Sequence, residues 1–268
     1  MEVPNATDDV EMRTVAVLNQ KGGVGKTTVT LGLASAAMAA GRRVLVIDLD
    51  PQGASSWVLG VDPNATAVSV GDVLDASSGA NAVLDAIVVS QWGDAVDVVA
   101  ARADQQELEE GAATRLSAAI RAGSDALREY EAILIDCPPS LGSLTTNALA
   151  AARHAVLVVE PSALGLRGIG GVADVIDSVW DLHNPDLELS GVVLNRVPAV
   201  SNEADRRIAE LGRIVGTSTV WHPSIPQRVV LNQAIGERRP VHAYGSRASD
   251  VIEVFDALWA RLRRTIAT

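Results

Sequence analysis

The chain has only two lysines among its 22 basic residues. Both lie in one stretch, Asn19-Gln20-Lys21-Gly22-Gly23-Val24-Gly25-Lys26-Thr27-Thr28. Elsewhere arginine supplies every positive side chain. Lysine carries a compact ammonium on a flexible stem, whereas arginine carries a planar fork. The glycines let successive backbone N–H groups converge on anionic oxygens, and a helix starting after Lys26 adds its positive end. In such a loop Lys26 reaches the β- and γ-phosphates of a nucleotide, and the Thr27 hydroxyl binds Mg²⁺. Gly22, Gly23, Val24, Gly25 and Thr28 complete the cradle.

Two acidic motifs accompany the loop. The apolar run Arg43–Leu49 leads into Asp48-Leu49-Asp50-Pro51-Gln52-Gly53. Aspartates two apart at a strand end place both carboxylates on one side of it. A carboxylate there holds metal-bound water or orients an attacking water. The run Ala132–Ile135 ends in Asp136-Cys137-Pro138-Pro139-Ser140, where Asp136 fits the second metal-binding acid of phosphate-loop ATPases. Cys137 reads as a small buried residue beside the site.

These residues must be carried by strands that end together. Apolar runs at Arg13–Asn19, Arg43–Leu49, Val96–Ala101, Ala132–Asp136, Ala155–Glu160, Leu189–Asn195 and Thr217–Trp221 read as strands. Helical spacing covers Thr27–Ala40, Ala112–Tyr130, Ser143–Arg153, Gly168–Leu182, Asn202–Val215 and Ser246–Arg264. Residues 53–95 read as less regular. Strands without alternation, separated by helices, predict an α/β fold: a doubly wound, mostly parallel sheet with helices on both faces. Its ligands belong at the carboxyl ends of the strands. A disordered tail is expected over residues 1–12 and one domain over 13–268.

Composition narrows the function classes. A single cysteine excludes a disulfide framework, a structural zinc site and a cysteine-ligated cluster within one chain. No apolar run approaches the roughly 18 residues of a membrane span. The first twelve residues are polar and acidic, so no secretory signal is expected and the cytoplasm is the expected location. The net charge is −11. Residues 190–268, however, hold 11 basic and 7 acidic side chains, which points to a C-terminal surface facing a polyanion. An N-K-x-D segment for guanine is excluded, because no lysine lies beyond position 26. The Asn195 amide, at a strand end, offers the donor and acceptor that adenine requires.

The strict phosphate-loop pattern fails at Gln20, where its first glycine would stand. KGGVGKTT instead resembles the deviant motif of the ParA/MinD partition and positioning ATPases, and NQKGGVGKTT the ParA/Soj form. The stretch at 48–53 is similar to the family's second motif, and Asp136 to Ser140 match its D-x-P-P-[ST]. The resemblance implies that Lys21 is the signature lysine that crosses a homodimer with ATP sandwiched in it. It implies that Asp50 positions the hydrolytic water and that Asp48 lies nearer the metal shell, with Thr27 and Asp136 on Mg²⁺. Asn195-Arg196 and Pro226 resemble the elements beside the adenine.

For partners, the resemblance implies non-specific double-stranded DNA bound by the ATP dimer, a nucleoid-associated location, and a ParB-like or cargo-adaptor protein that stimulates slow hydrolysis. The cargo is a chromosome, a plasmid or a large protein assembly. Arg206, Arg207, Arg213, Arg228, Arg238 and Arg239 are the expected DNA contacts. The family's I-P-R-N-V-R-L is here Ile225-Pro226-Gln227-Arg228-Val229-Val230-Leu231, so both usual arginines are replaced. The alternative is a MinD-like cycle on a membrane surface, through the amphipathic last helix with Val251, Phe255, Leu258, Leu262 and Ile266 on one face. A binding scaffold without turnover fits poorly with Asp50 and Asp136 both in place.

Overall fold

The computed structural model describes residues 10–62, 66–75, 79–102 and 113–267. Strands β1 (Thr14–Leu18), β2 (Val44–Asp48), β3 (Ile87–Val89), β4 (Val96–Val99), β5 (Ala132–Asp136), β6 (His154–Val159), β7 (Glu188–Leu194) and β8 (Val220–Trp221) form one sheet. The spatial order is β3-β4-β2-β5-β1-β6-β7-β8. Every pairing is parallel except β3 with β4. The main helices are α1 (Lys26–Ala39), α2 (Arg115–Ala122), α3 (Ser143–Ala151), α4 (Ile169–Leu182), α5 (Asn202–Val215), α6 (Val229–Gly236) and α7 (Ser249–Thr265).

The unbroken apolar runs of the central strands follow from burial on both faces. All five residues of β1, β2 and β5 are buried. Alternate residues enter two cores. Ala16, Leu45, Ile47, Ile133 and Leu157 belong to a core shared with α2, α3 and α4, while Val15, Val17, Val46, Leu134 and Val156 belong to one shared with α1 and α7. β1 is central and β5 and β6 flank it, so the chain crosses between the two halves of the sheet there. In an open parallel sheet this switch point opens the crevice for ligands.

Three sequence expectations change, and one interval without an expectation gains structure. Of the tail expected over residues 1–12, residues 1–9 lie outside the described residues, and Val10 is buried, its carbonyl accepting from the Thr14 hydroxyl. The helix expected over Ala112–Tyr130 is two short ones broken at Gly123, with Ala112 outside the described residues. Residues 53–95 hold the helices Ala54–Val58, Val70–Val73 and Ala82–Asp85 and the antiparallel edge strand β3. Helix α6 and a 3₁₀ stretch at Val241–Ala248 fill the interval before α7.

The apolar face of α7 is not free for a lipid surface. Val251, Phe255, Leu258 and Leu262 are fully buried, and Ile266 nearly so. Phe255 packs so tightly on Gly32 of α1 that an added Cβ would lie 2.0 Å from its ring. Among the described residues no helix is long and apolar enough to cross a membrane.

Candidate phosphate-loop site

The site is assembled from the carboxyl ends of β1, β2, β5, β6 and β7. Residues 19–25 leave β1 and turn into α1 at Lys26. Gly25 caps that helix with φ 93°, a left-handed conformation that side chains resist. Space also demands glycine here: an added Cβ would lie 2.1 Å from Asn195 Nδ2. That Nδ2 donates to the Val24 carbonyl at 2.7 Å, pinning the loop from beneath.

Lys26 is buried, and its ammonium is held below the ordinary lysine range by desolvation, opposed by the charges of Asp136 and Asp50. A buried cation facing a carboxylate at a helix start is suited to polyphosphate. Gly22 and Gly23 are exposed at the loop surface, Val24 is buried and Thr28 half-buried on α1.

Thr27 and Asp136 meet. The Thr27 hydroxyl donates to Asp136 Oδ2 at 2.7 Å, and Ser55 donates to the same oxygen at 2.7 Å. Asp136 Oδ1 is buried without a hydrogen-bond partner among the described residues. Such an oxygen carries a desolvation cost until a donor or cation reaches it. Burial raises Asp136 to about 6, against the hydrogen bonds of Ser55 and Thr27 and the charge of Lys26. This donor set fits a hard divalent cation.

Asp48, expected near the metal shell, stands opposite Asp136 and holds the loop after β2. Its Oδ2 accepts from Ser56 N and Ser56 Oγ, both at 2.8 Å, and Oδ1 accepts from Asp50 N at 3.1 Å. These bonds engage both Asp48 oxygens and shape the loop that follows β2. Asp50 lies on that loop, and its Oδ1 accepts from Gln52 N. Asp50 borders a cleft of about 420 Å³ shared with Pro138, Pro139, Ser140 and Ser143. The serines at 55 and 56 carried no motif signal. Their position one turn after the acidic pair is the only sequence cue.

Asn195 is buried, with its Oδ1 unpartnered among the described residues. Arg196 follows at φ 55°. Pro226 lies beside them through a bridge to Val197. Lys21 is at the outer rim: its amide donates to Asn19 Oδ1 at 2.8 Å, and its Nζ is 3.3 Å from Glu160 Oε2.

The six arginines expected on DNA do not form one free patch. Arg206 pairs with Glu203, Arg207 with Glu203 and Glu210, Arg228 with Asp250, and Arg239 with Glu237. Arg238 lies over the Trp57 ring, and its carbonyl accepts from Gln91 and Trp92. Arg213 donates to the Ala209 carbonyl. Sequence reading passed over Arg247, which together with Arg239 lies against the Tyr244 ring.

A parallel sheet with a glycine loop at its switch point, a buried lysine at the helix start and a Thr–Asp pair beneath it defines a phosphate-loop nucleotide-binding protein. A family described as an AAA domain matches residues 12–189. The chain is 37% identical over 238 residues to the chromosome partitioning protein ParA of Caulobacter vibrioides, covering 87% of each chain. It is 32% identical over 237 residues to the sporulation initiation inhibitor protein Soj of Bacillus subtilis, covering 87% of this chain and 92% of that one. Among solved structures, cobyrinic acid a,c-diamide synthase from Mycobacterium smegmatis, with bound ADP and magnesium, superposes with a TM-score of 0.71 at 31% identity over 89% of this chain and 95% of that one. The chain belongs to the ParA/MinD family of partition and positioning ATPases.

Proposed function

We propose that the protein hydrolyses ATP to switch between a monomer and an ATP-bound homodimer, and that the dimer binds DNA without sequence preference to position a cargo. The observation that carries the nucleotide chemistry is the pair Thr27 Oγ1–Asp136 Oδ2 at 2.7 Å, with Asp136 Oδ1 buried beside Lys26 and unpartnered among the described residues. The solved relative with bound ADP and magnesium supports the same ligands here.

In this reading Thr27 and Asp136 hold Mg²⁺, which when bound neutralises charge on the phosphates. Lys26 and the amides of residues 22–28 hold the phosphates. Asp50, at the border of the cleft, orients the attacking water, and Asp48 fixes the loop that carries Asp50. Lys21 reaches across the dimer to the partner's nucleotide. Arg196 and Pro226 lie beside the base, and Asn195 supports the loop from below. DNA contact falls to arginines of the C-terminal part, of which Arg213 and Arg247 have no ion pair among the described residues. A ParB-like or cargo-adaptor protein stimulates turnover.

The test is binding to random-sequence duplex DNA with ATP and with ADP across a salt series, using Asp50→Ala to hold the ATP state. ATP-dependent, salt-sensitive binding is expected. Absence of binding by the trapped dimer would remove the DNA part of the proposal. Lys21→Ala is expected to bind ATP but to lose dimerisation and hydrolysis; an active dimer would remove the role of Lys21.

A further inference from the structure

Glu160 directly follows β6, and its carboxylate is divided between two cations at the mouth of the nucleotide site. Oε2 is 3.3 Å from Lys21 Nζ, and Oε1 is 2.9 Å from Arg196 Nη1. The backbones behind the Lys21 pair are tied together. Asn19 Oδ1 accepts the Lys21 amide at 2.8 Å, while Asn19 Nδ2 donates at 2.7 Å to the carbonyl of Val158, two residues before Glu160. β1 and β6 are themselves paired, Leu18 opposite Leu157. Lys21 is therefore presented to an acid of its own chain from a fixed base.

We infer that Glu160 is a positioning residue that captures Lys21 in cis and sets the threshold for dimerisation. This rests on the reading of Lys21 as the lysine that serves the partner's nucleotide. An ammonium held by Glu160 is not available to a second subunit, so each dimer must open two such pairs. The pair is partly exposed, with the Lys21 side chain 36% and the Glu160 side chain 20% accessible. Ion pairs of this exposure shift an equilibrium by up to about five-fold. The hold is thus weak enough for a polyphosphate, which offers more negative charge, to overcome. Arg196 occupies the other oxygen, so the capture is formed beside the residue proposed to meet the base.

Glu160→Gln removes the charge that holds Lys21 and keeps a carbonyl oxygen for Arg196. In the Asp50→Ala background with ATP, sedimentation velocity over a dilution series is expected to show dimerisation tightened about ten-fold, from two sites of roughly three-fold each. A second readout reports the contact itself. With two lysines in the chain, reductive ¹³C-methylation gives two side-chain signals beside the amino terminus, and methylation keeps the charge. The Lys21 signal of the nucleotide-free monomer is expected to move in Glu160→Gln while that of Lys26 stays. A Glu160 with only a structural role would alter the melting temperature and leave dimerisation unchanged or weaker. That result, or an unmoved Lys21 signal, overturns the proposal. Lys21→Ala in the same background separates the two ideas. If it dimerises like its parent, the cross-subunit reading of Lys21 fails. If it does not dimerise and Glu160→Gln changes nothing, only the capture by Glu160 fails.

Discussion

Asp48 and Asp136 stand opposite each other at the ends of β2 and β5, in register across a parallel pair and both fully buried. Burial, foremost, raises Asp48 to about 8 and Asp136 to about 6. Between the ordinary carboxylate range and these values the folded state binds more protons than the unfolded one. Stability therefore falls as pH rises from about 4 to about 8. One such proton accounts for at most about 1.4 kcal/mol per pH unit. Asp48→Asn is expected to flatten this slope in the nucleotide-free protein, measured by thermal unfolding from pH 5 to 8. A slope equal to that of the parent would show that Asp48 does not hold the extra proton of the folded state.

Asp136→Asn keeps an acceptor for Thr27 and Ser55 but removes the charge beneath the phosphate loop. Turnover is expected to drop at least about a hundred-fold, as when one preorganised electrostatic contact is lost. The magnesium dependence of nucleotide affinity should weaken in parallel. Chelating the metal from the parent protein should reproduce the variant's affinity, and titration of a fluorescent nucleotide with and without magnesium decides it.

Gly25→Ala must hold φ near 93° and place a Cβ against the Asn195 amide. Left-handed strain together with loss of the Asn195–Val24 bond is expected to cost about 2–4 kcal/mol. Asn195→Ala lacks the steric conflict and should cost less. Urea denaturation of the two single variants and the double variant tests this. The double variant is expected to be less damaging than the sum of the singles, since they share one contact.

Gly32→Ala drives a methyl into the Phe255 ring that fastens α7 to α1. Overpacking of this kind costs about 1–3 kcal/mol. Phe255→Leu in the same chain should restore part of the loss, which thermal melts would show. Full independence of the two substitutions would mean that the contact does not seat the helix.

Arg213 and Arg247 should each lower the salt slope of DNA binding by about one when changed to alanine. Arg207, held by Glu203 and Glu210, should change it little. Filter binding across a salt series measures both slopes. An effect of Arg207→Ala larger than that of the other two would place the surface on α5's paired side instead.

Where the candidate site lies, and what its side chains do, is decided on two levels. The composition of the chain itself marked the loop from Lys21 to Thr28, because two lysines in one glycine-rich stretch leave little else for them to do. The apolar runs ending at Asp48, Asp136 and Asn195 marked a parallel sheet and the strand ends that carry the site, since a strand buried on both faces cannot alternate. Local sequence thus determined the loop, the strand ends and the order in which they occur. Tertiary structure decided what the side chains at those ends do. Asp48 and Asp136 are similar in sequence setting, yet only the packing of the helix Ala54–Val58 brings Ser56 onto one and Ser55 onto the other. Arg238 reads as a free cation until Trp57 arrives from a segment far off in the chain. The short elements between residues 53 and 95 were illegible because three- to five-residue pieces carry too little periodicity. The α7 stripe by itself fits either a lipid surface or docking on the chain's own fold, for amphipathicity shows that a face needs covering and only the fold shows that α1 covers it.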